Sequence, residues 1–185
     1  MPPSINVIIG CMFSGKTSEL IKIARLNRVV NKKVLIINYS GDTRYTTDND
    51  KMYTHDLVGI DCIVIKKFTD ILNNAIFFKL YYNSDVICIN EGQFYEGLKE
   101  FCMDAIKINK EVHVCGLDGD YLQNPFGEML DLIPISENVT RLHALCKICN
   151  DGTRAFFTKR ITDSTDTILI GSTESYIPVC RKHLV

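Results

Sequence analysis

Gly10-Cys11-Met12-Phe13-Ser14-Gly15-Lys16-Thr17 is the stretch from which the fold is read. The apolar run Ile-Asn-Val-Ile-Ile at 5–9 precedes it, and Ser-Glu-Leu-Ile-Lys-Ile-Ala-Arg at 18–25 follows with helical spacing. A buried strand, a glycine-rich turn and a helix, in that order, are the context of a phosphate-binding loop. Gly10 and Gly15 let the backbone turn tightly and aim its N–H groups inward. Those donors and the positive end of the helix make a concavity for an anion. Lys16 adds a full charge with the reach of the β- and γ-phosphates, and the Thr17 hydroxyl suits Mg²⁺. A chance glycine-rich turn has no reason to carry all of these in register. The stretch implies a nucleoside triphosphate and leaves open what is done with it.

The chain around it has 185 residues, enough for one core domain and a modest appendage. A hydrophobic content of 46% supplies a core. Its 21 basic and 22 acidic residues give a formal net charge of −1, so no domain-wide basic excess recruits nucleic acid or a membrane. No basic segment leads into a secretory apolar stretch, and no apolar run approaches spanning length. A soluble, cytoplasmic protein is expected. Of the eight cysteines, Cys62, Cys88 and Cys115 sit in or beside strand-like runs and read as reduced core residues.

Beyond the loop, Leu20, Ile23, Ala24 and Asn27 share one helical face. The run at 34–38 is apolar throughout, as in a parallel strand buried on both faces. The polar stretch 40–49 reads as loop at the strand end where α/β proteins bind ligands, with Arg44 in reach of a phosphate or simply solvated. Thr54-His55-Asp56 reads as a local hydrogen-bonded pair before a catalytic one. A third strand is expected at 62–65 and one helix over 69–82, with Ile71, Leu72, Ala75, Ile76 and Leu80 inward. The run 85–89 then ends in Asn90-Glu91. In the second ATPase signature a carboxylate at such a strand tip holds the Mg²⁺ shell and a following one orients or deprotonates the nucleophile. Here the first is an amide without charge, and Glu91 is the only carboxylate at that tip. A helix at 95–109 and a strand at 111–117 complete an alternation that implies a parallel, doubly wound sheet. After Leu117 the alternation is expected to stop.

Cys146-Lys147-Ile148-Cys149 and Cys180-Arg181-Lys182-His183 each place two ligands on one tight turn. Two such turns form a closed Cys₃His site, the usual geometry of structural zinc. His113 and His143 rank below His183 as the fourth ligand. The segment between suits a small β-ribbon that needs the metal to hold it.

Taken together, these motifs resemble the type II thymidine kinases, the small zinc-containing kind of cells and large DNA viruses. The family pattern Gly-Pro-Met-Phe-Ser-Gly-Lys-Ser/Thr matches Gly10 to Thr17, with Cys11 in place of Pro. Asp-x-Arg matches Asp42-Thr43-Arg44, and Thr-His-Asp matches Thr54 to Asp56. Asp-Glu-Gly-Gln-Phe matches Asn90 to Phe94, with Asn for Asp. Leu-Asp-Gly through Pro-Phe-Gly matches Leu117 to Gly127, Thr-Lys-Arg matches Thr158 to Arg160, and both zinc pairs match, with His183 last.

The resemblance implies a P-loop, RecA-like α/β domain over 1–139 and a zinc-binding domain over 140–185. A lasso loop at about 118–133 would close over the base. It implies transfer of the γ-phosphoryl of ATP, with Mg²⁺, to the 5′-hydroxyl of thymidine, with Glu91 as general base. ATP would be held by Gly10, Cys11, Met12, Phe13, Ser14, Gly15, Lys16, Thr17, Asp42, Arg44, Asn90 and Gln93. Arg44 and Arg160 are candidates for stabilising phosphate charge. Thymidine would be held by Met12, Phe94, Leu117, Tyr121, Phe126, Arg160 and Tyr176, and by the main chain of Thr167, Ile168, Leu169, Ile170 and Gly171. Structural Zn²⁺ would be held by Cys146, Cys149, Cys180 and His183. The family forms homotetramers inhibited by thymidine triphosphate. Against this stand a P-loop ATPase or translocase with a zinc ribbon, which neutrality and length disfavour, and a nucleotide sensor weakened at Asn90.

Overall fold

The computed structural model describes residues 2–42, 50–54, 56–162 and 174–184. Its centre is a six-stranded sheet ordered β5-β2-β6-β7-β1-β8, with every neighbouring pair parallel. The strands are β1 (Ser4–Gly10), β2 (Val34–Tyr39), β5 (Ile63–Ile65), β6 (Val86–Ile89), β7 (Glu111–Gly116) and β8 (Asn138–Leu142). A two-stranded hairpin, β3 (Lys51–Tyr53) and β4 (Gly59–Asp61), lies between β2 and β5 in sequence. The helices are α1 (Lys16–Val29), α2 (Thr69–Asn73), α3 (Ala75–Asn83) and α4 (Leu98–Lys107).

The strand period of two sorts the core into two layers. Ile5, Val7 and Ile9 of β1 pack with Leu98, Cys102 and Ala105 of α4. Ile8, between them, packs with Leu20, Ile21 and Ala24 of α1. Helices thus cover both faces, which is why β6 can be apolar at every position and fully buried. All eight cysteines are free thiols. Burial and nearby acids push the Cys62 thiol up to about 12, and burial raises those of Cys88 and Cys102. Such thiols are poor nucleophiles at neutral pH.

Two expectations need correction. The alternation does not stop at Leu117. After the 3₁₀ stretch Leu130–Ile135, β8 joins the sheet parallel to β1, with Asn6 opposite Asn138 and Gly10 opposite Leu142. As an edge strand with Asn138, Val139 and Arg141 exposed, β8 needs no apolar run, so its composition hid it. The single helix at 69–82 is two. Asn74 takes an extended conformation between them and its side chain accepts from the Ile76 and Phe77 N–H groups, 3.0 and 3.2 Å, capping α3. The break rotates the apolar face, so Ile71 and Tyr81 are buried while Leu72, Ile76 and Leu80 are exposed. The hairpin β3–β4 falls between the expected loop at 40–49 and the expected strand at 62–65, where the sequence reading assigns no element.

At the sheet end away from Gly10, Glu111 joins Lys32 and His113. Lys32 Nζ donates to Oε2 at 2.7 Å, and His113 Nε2 lies 2.8 Å from Oε1. Burial alone would raise this carboxyl, but the Lys32 and His113 hydrogen bonds outweigh it and hold it below its ordinary value. A depressed acid stabilises the fold above its unfolded value and loses that contribution as pH falls through the folded one. Glu111→Gln is therefore expected to cost about 1–2 kcal/mol at pH 7 by denaturant titration, the scale of charged hydrogen bonds. The difference from the unsubstituted chain should shrink toward pH 3; a constant difference would contradict the assignment.

After β8 the chain makes a small ribbon. β9 (Ala144–Leu145) pairs antiparallel with β10 (Arg154–Ala155), and β11 (Phe157–Arg160) with β12 (Tyr176–Val179); α5 (Arg181–Leu184) follows. No helix among the described residues is long and apolar enough to cross a membrane.

Candidate active site

β1, β6 and β7 end at one edge of the sheet, and the residues just beyond their tips form the site. Gly15 caps α1 with φ 83°, a left-handed conformation open to glycine, and Lys16 and Thr17 start the helix. The loop frames a cleft of about 270 Å³ lined by Met12 through Ser18, Asp42, Tyr53, Asp56, Glu91 and Leu117. It therefore gathers most of the loop residues expected to hold ATP, with Glu91, Asp42 and Leu117. Tyr53 and Asp56 are additions supplied by the β3–β4 hairpin. Lys16 Nζ donates to the Cys11 carbonyl at 2.7 Å, which folds its charge back over the loop.

Thr17 and Asn90 meet directly. Thr17 Oγ1 donates to Asn90 Oδ1 at 3.3 Å, and Cys115 Sγ lies 3.1 Å from the same oxygen. Asn90 Nδ2 donates to Asn38 Oδ1 at 2.8 Å. Asn38 is thus a site residue that the sequence reading missed. Its signal was a buried amide ending an apolar strand, as Asn90 ends the next.

Glu91 is only 8% exposed and adopts φ 55°, ψ 44°, a left-handed conformation that costs a side-chain-bearing residue about 1–2 kcal/mol. It turns the chain from β6 into the 3₁₀ turn Gly92–Phe94. Gln93 Nε2 donates to Glu91 Oε2 at 2.5 Å, and the Leu117 N–H donates to Gln93 Oε1 at 3.0 Å. Gly127, at φ 57°, lies so close that a methyl there would run into the Gln93 carbonyl. Strain at a buried carboxylate facing a cleft makes Glu91 a candidate functional position.

The other expected nucleoside residues form two groups. Phe94 stacks on Tyr39 at 4.9 Å and meets Phe126 edge-on at 5.5 Å. Arg160 lies over Tyr121 at 3.8 Å and over Tyr176 at 5.2 Å, and its Nη2 donates to the Tyr176 hydroxyl at 2.6 Å. Arg160 thus joins the 118–133 segment to the ribbon. Arg44, His55 and Thr167 to Gly171 lie outside the described residues.

The ribbon touches the loop. Thr158 Oγ1 accepts from the Met12 N–H at 3.0 Å, and the Cys11 thiol lies 3.4 Å from the Ala155 carbonyl. Cys11 shares a small core with Ala144, Cys146, Ala155, Val179 and Cys180. A second arginine reaches the 118–133 segment. Arg181 lies 4.0 Å over Phe157 and donates to Gln123 Oε1 at 3.1 Å.

Cys146, Cys149, Cys180 and His183 present ligand atoms all within 4.8 Å of one another. His183 Nδ1 is 3.5, 3.4 and 3.5 Å from the three sulfurs in that order, and the Cys149 and Cys180 sulfurs are 3.7 Å apart. A tetrahedron with ordinary Zn–S and Zn–N bonds has edges of ~3.8 Å between sulfurs and ~3.6 Å from sulfur to nitrogen. The donor set and its spacing fit zinc. His113 and His143 stand elsewhere, His113 on Glu111 and His143 against Phe156 at 5.6 Å.

A parallel α/β sheet with a glycine-rich turn at its strand tips, a buried carboxylate beside it and a separate Cys₃His group that could hold a metal ion define the class of this protein. The chain belongs to the thymidine kinase family, whose model matches residues 3–184. It is 42% identical over 98% of its length to "Thymidine kinase a" of Arabidopsis thaliana, covering 75% of that protein. It is 40% identical over 96% of its length to the thymidine kinase of Yaba monkey tumor virus, covering 92% of it, and 39% identical over 96% to that of vaccinia virus, covering 94%.

Proposed function

We propose that this chain transfers the γ-phosphoryl of ATP to the 5′-hydroxyl of thymidine, giving dTMP and ADP. The observation that carries the reading is Glu91, a buried carboxylate opening on the same cleft as Lys16, Thr17 and Leu117. In the reaction the 5′-oxygen forms a bond to the γ-phosphorus, the bond from that phosphorus to the β,γ-bridging oxygen breaks, and Glu91 takes the hydroxyl proton. Most of the catalysis is then orientation and charge stabilisation. Lys16 and the N–H groups of the loop 10–17 would face the charge on the phosphates. Arg44 and Arg160 are placed in the same role by the resemblance, although the Arg160 guanidinium packs on Tyr121 and Tyr176.

On this reading the loop is a P-loop and 118–133 is a lasso over the base, tied to the ribbon by Arg160 and Arg181. Met12, Phe94, Leu117, Tyr121, Phe126 and Tyr176 line the nucleoside pocket, with main-chain contacts from Thr167 to Gly171. The division into 1–139 and 140–185 falls inside β8, so the zinc-binding part is continuous with the sheet's edge strand. Four ligands leave no open position, so zinc when bound supplies structure and no chemistry. A cytoplasmic homotetramer inhibited by thymidine triphosphate completes the proposal. Thymidine-dependent release of ADP from ATP tests the activity, and ATP binding without turnover would favour the sensor reading.

Asn90 bears on Mg²⁺. Its oxygen accepts from Thr17, as an aspartate would, but brings no charge. Asn90→Asp would face Asn38, whose amide can rotate to donate. The expected result is a threefold to tenfold fall in the Mg²⁺ concentration giving half-maximal rate, since a charged acceptor is about twice as strong as a neutral one. An unchanged Mg²⁺ titration would remove Asn90 from the metal shell.

A further inference from the structure

We propose that Gln93, expected among the ATP contacts, is instead the positioning residue of the general base and connects it to the nucleoside wall. The proposal rests on the reading of Glu91 as base. The orientation of the Gln93 amide follows from its partners. The Leu117 N–H can only donate, so it takes the carboxamide oxygen at 3.0 Å. The Glu91 carboxylate can only accept when ionised, so it takes the nitrogen at 2.5 Å. Flipping the amide would break both bonds at once. Gln93 is 4% exposed, so neither bond competes with bulk water.

The fold leaves space for this side chain and for little else. A methyl on Gly116 would stand 2.6 Å from Gln93 Oε1, and one on Gly127 would strike its carbonyl. Both glycines thus close on Gln93, one from the end of β7 and one from the 118–133 segment. Leu117 lines the cleft, and its N–H is the other end of the same amide. Movement of Leu117 when a nucleoside enters would therefore be passed through one rigid carboxamide to Glu91 Oε2. Misplacing a reacting group by about 1 Å costs up to ~10²-fold in rate. Each polar atom of the amide already makes one hydrogen bond within the protein, and Gln93 is not among the residues that line the cleft beside Lys16 and Thr17.

The test uses the zinc-loaded full chain. Gln93→Met keeps the length and removes both hydrogen bonds. The expected result is a fall in kcat of about tenfold to a hundredfold, with KM for ATP unchanged. In a Glu91→Gln background the same substitution should cost nothing further, since groups acting as a unit are non-additive. A raised KM for ATP at unchanged kcat would make Gln93 a nucleotide contact and overturn the proposal. So would an equal loss in both backgrounds. Gln93→Glu covers the case in which Gln93→Met does not fold. It still accepts from Leu117 but sets two carboxyls side by side, which must share a proton. The acid limb of its pH–rate profile should move to higher pH; an unmoved limb would also overturn the proposal. An unsubstituted chain that makes no dTMP would sink the functional reading itself, a different result from an active chain indifferent to Gln93.

Discussion

Glu91→Gln is expected to lower kcat for dTMP formation by about 10²- to 10⁴-fold, the usual contribution of a positioned general base, and to leave ATP affinity unchanged. The amide is isosteric, so the loss is one of basicity and charge. It can no longer take the 5′-hydroxyl proton. Its oxygen can still accept from Gln93 Nε2 while its NH₂ turns toward the cleft, so the buried strand tip keeps its packing. ATP binding survives because the loop and α1, which would hold the phosphates, are built from other residues. The left-handed backbone of residue 91 is retained, since glutamine pays the same conformational cost there as glutamate. Single-turnover measurement at saturating ATP and thymidine checks the prediction. Near-normal turnover would transfer the base role to another group in the cleft, of which Asp42 and Asp56 are the acidic members.

Removing zinc produces the second large effect. Structural zinc supplies about 10–16 kcal/mol to small domains in isolation, far more than the ribbon's short strands can replace. The ribbon's core is six buried side chains, two of them ligands, Cys146 and Cys180. The two cores on the sheet faces share no residue with it. Chelation, or Cys149→Ser, should therefore unfold the ribbon first, open 143–184 to proteolysis and leave the α/β part folded. The loss then reaches the site by four contacts: Thr158 to Met12, Ala155 to Cys11, Arg181 to Gln123, and Arg160 to Tyr121. KM for thymidine should rise by at least about tenfold, the equivalent of one lost net hydrogen bond or slightly more. Metal analysis finding no zinc in pure active protein would overturn the assignment, and so would a chelated chain with an unchanged KM.

How far the residues alone carried these readings depends on how local the features are. β1, β2, β6 and β7 were legible because strands buried on both faces must be apolar at nearly every position. The loop and the metal knuckle were legible because their chemistry is written in short, fixed spacings. β8 was not, since an edge strand keeps polar side chains and looks like loop. Asn74 was read through as helix because apolar residues continue on both sides of it, and only its capping bonds show the break. The site's polar wiring was hidden for another reason. Asn38 to Asn90, Gln93 to Leu117 and Arg181 to Gln123 join residues distant in sequence, and each needs the fold before it exists. Gln93 is the clearest case. Its motif grouped it with nucleotide contacts, while its two hydrogen bonds turn it toward Glu91 and Leu117.

Transfer of label from [γ-³²P]ATP to thymidine, resolved by chromatography of the product, tests the central claim most directly. The account predicts labelled dTMP formed in step with ADP, dependent on Mg²⁺, and nearly abolished in Glu91→Gln. Label released only as inorganic phosphate, or product formed equally well by Glu91→Gln, would contradict it.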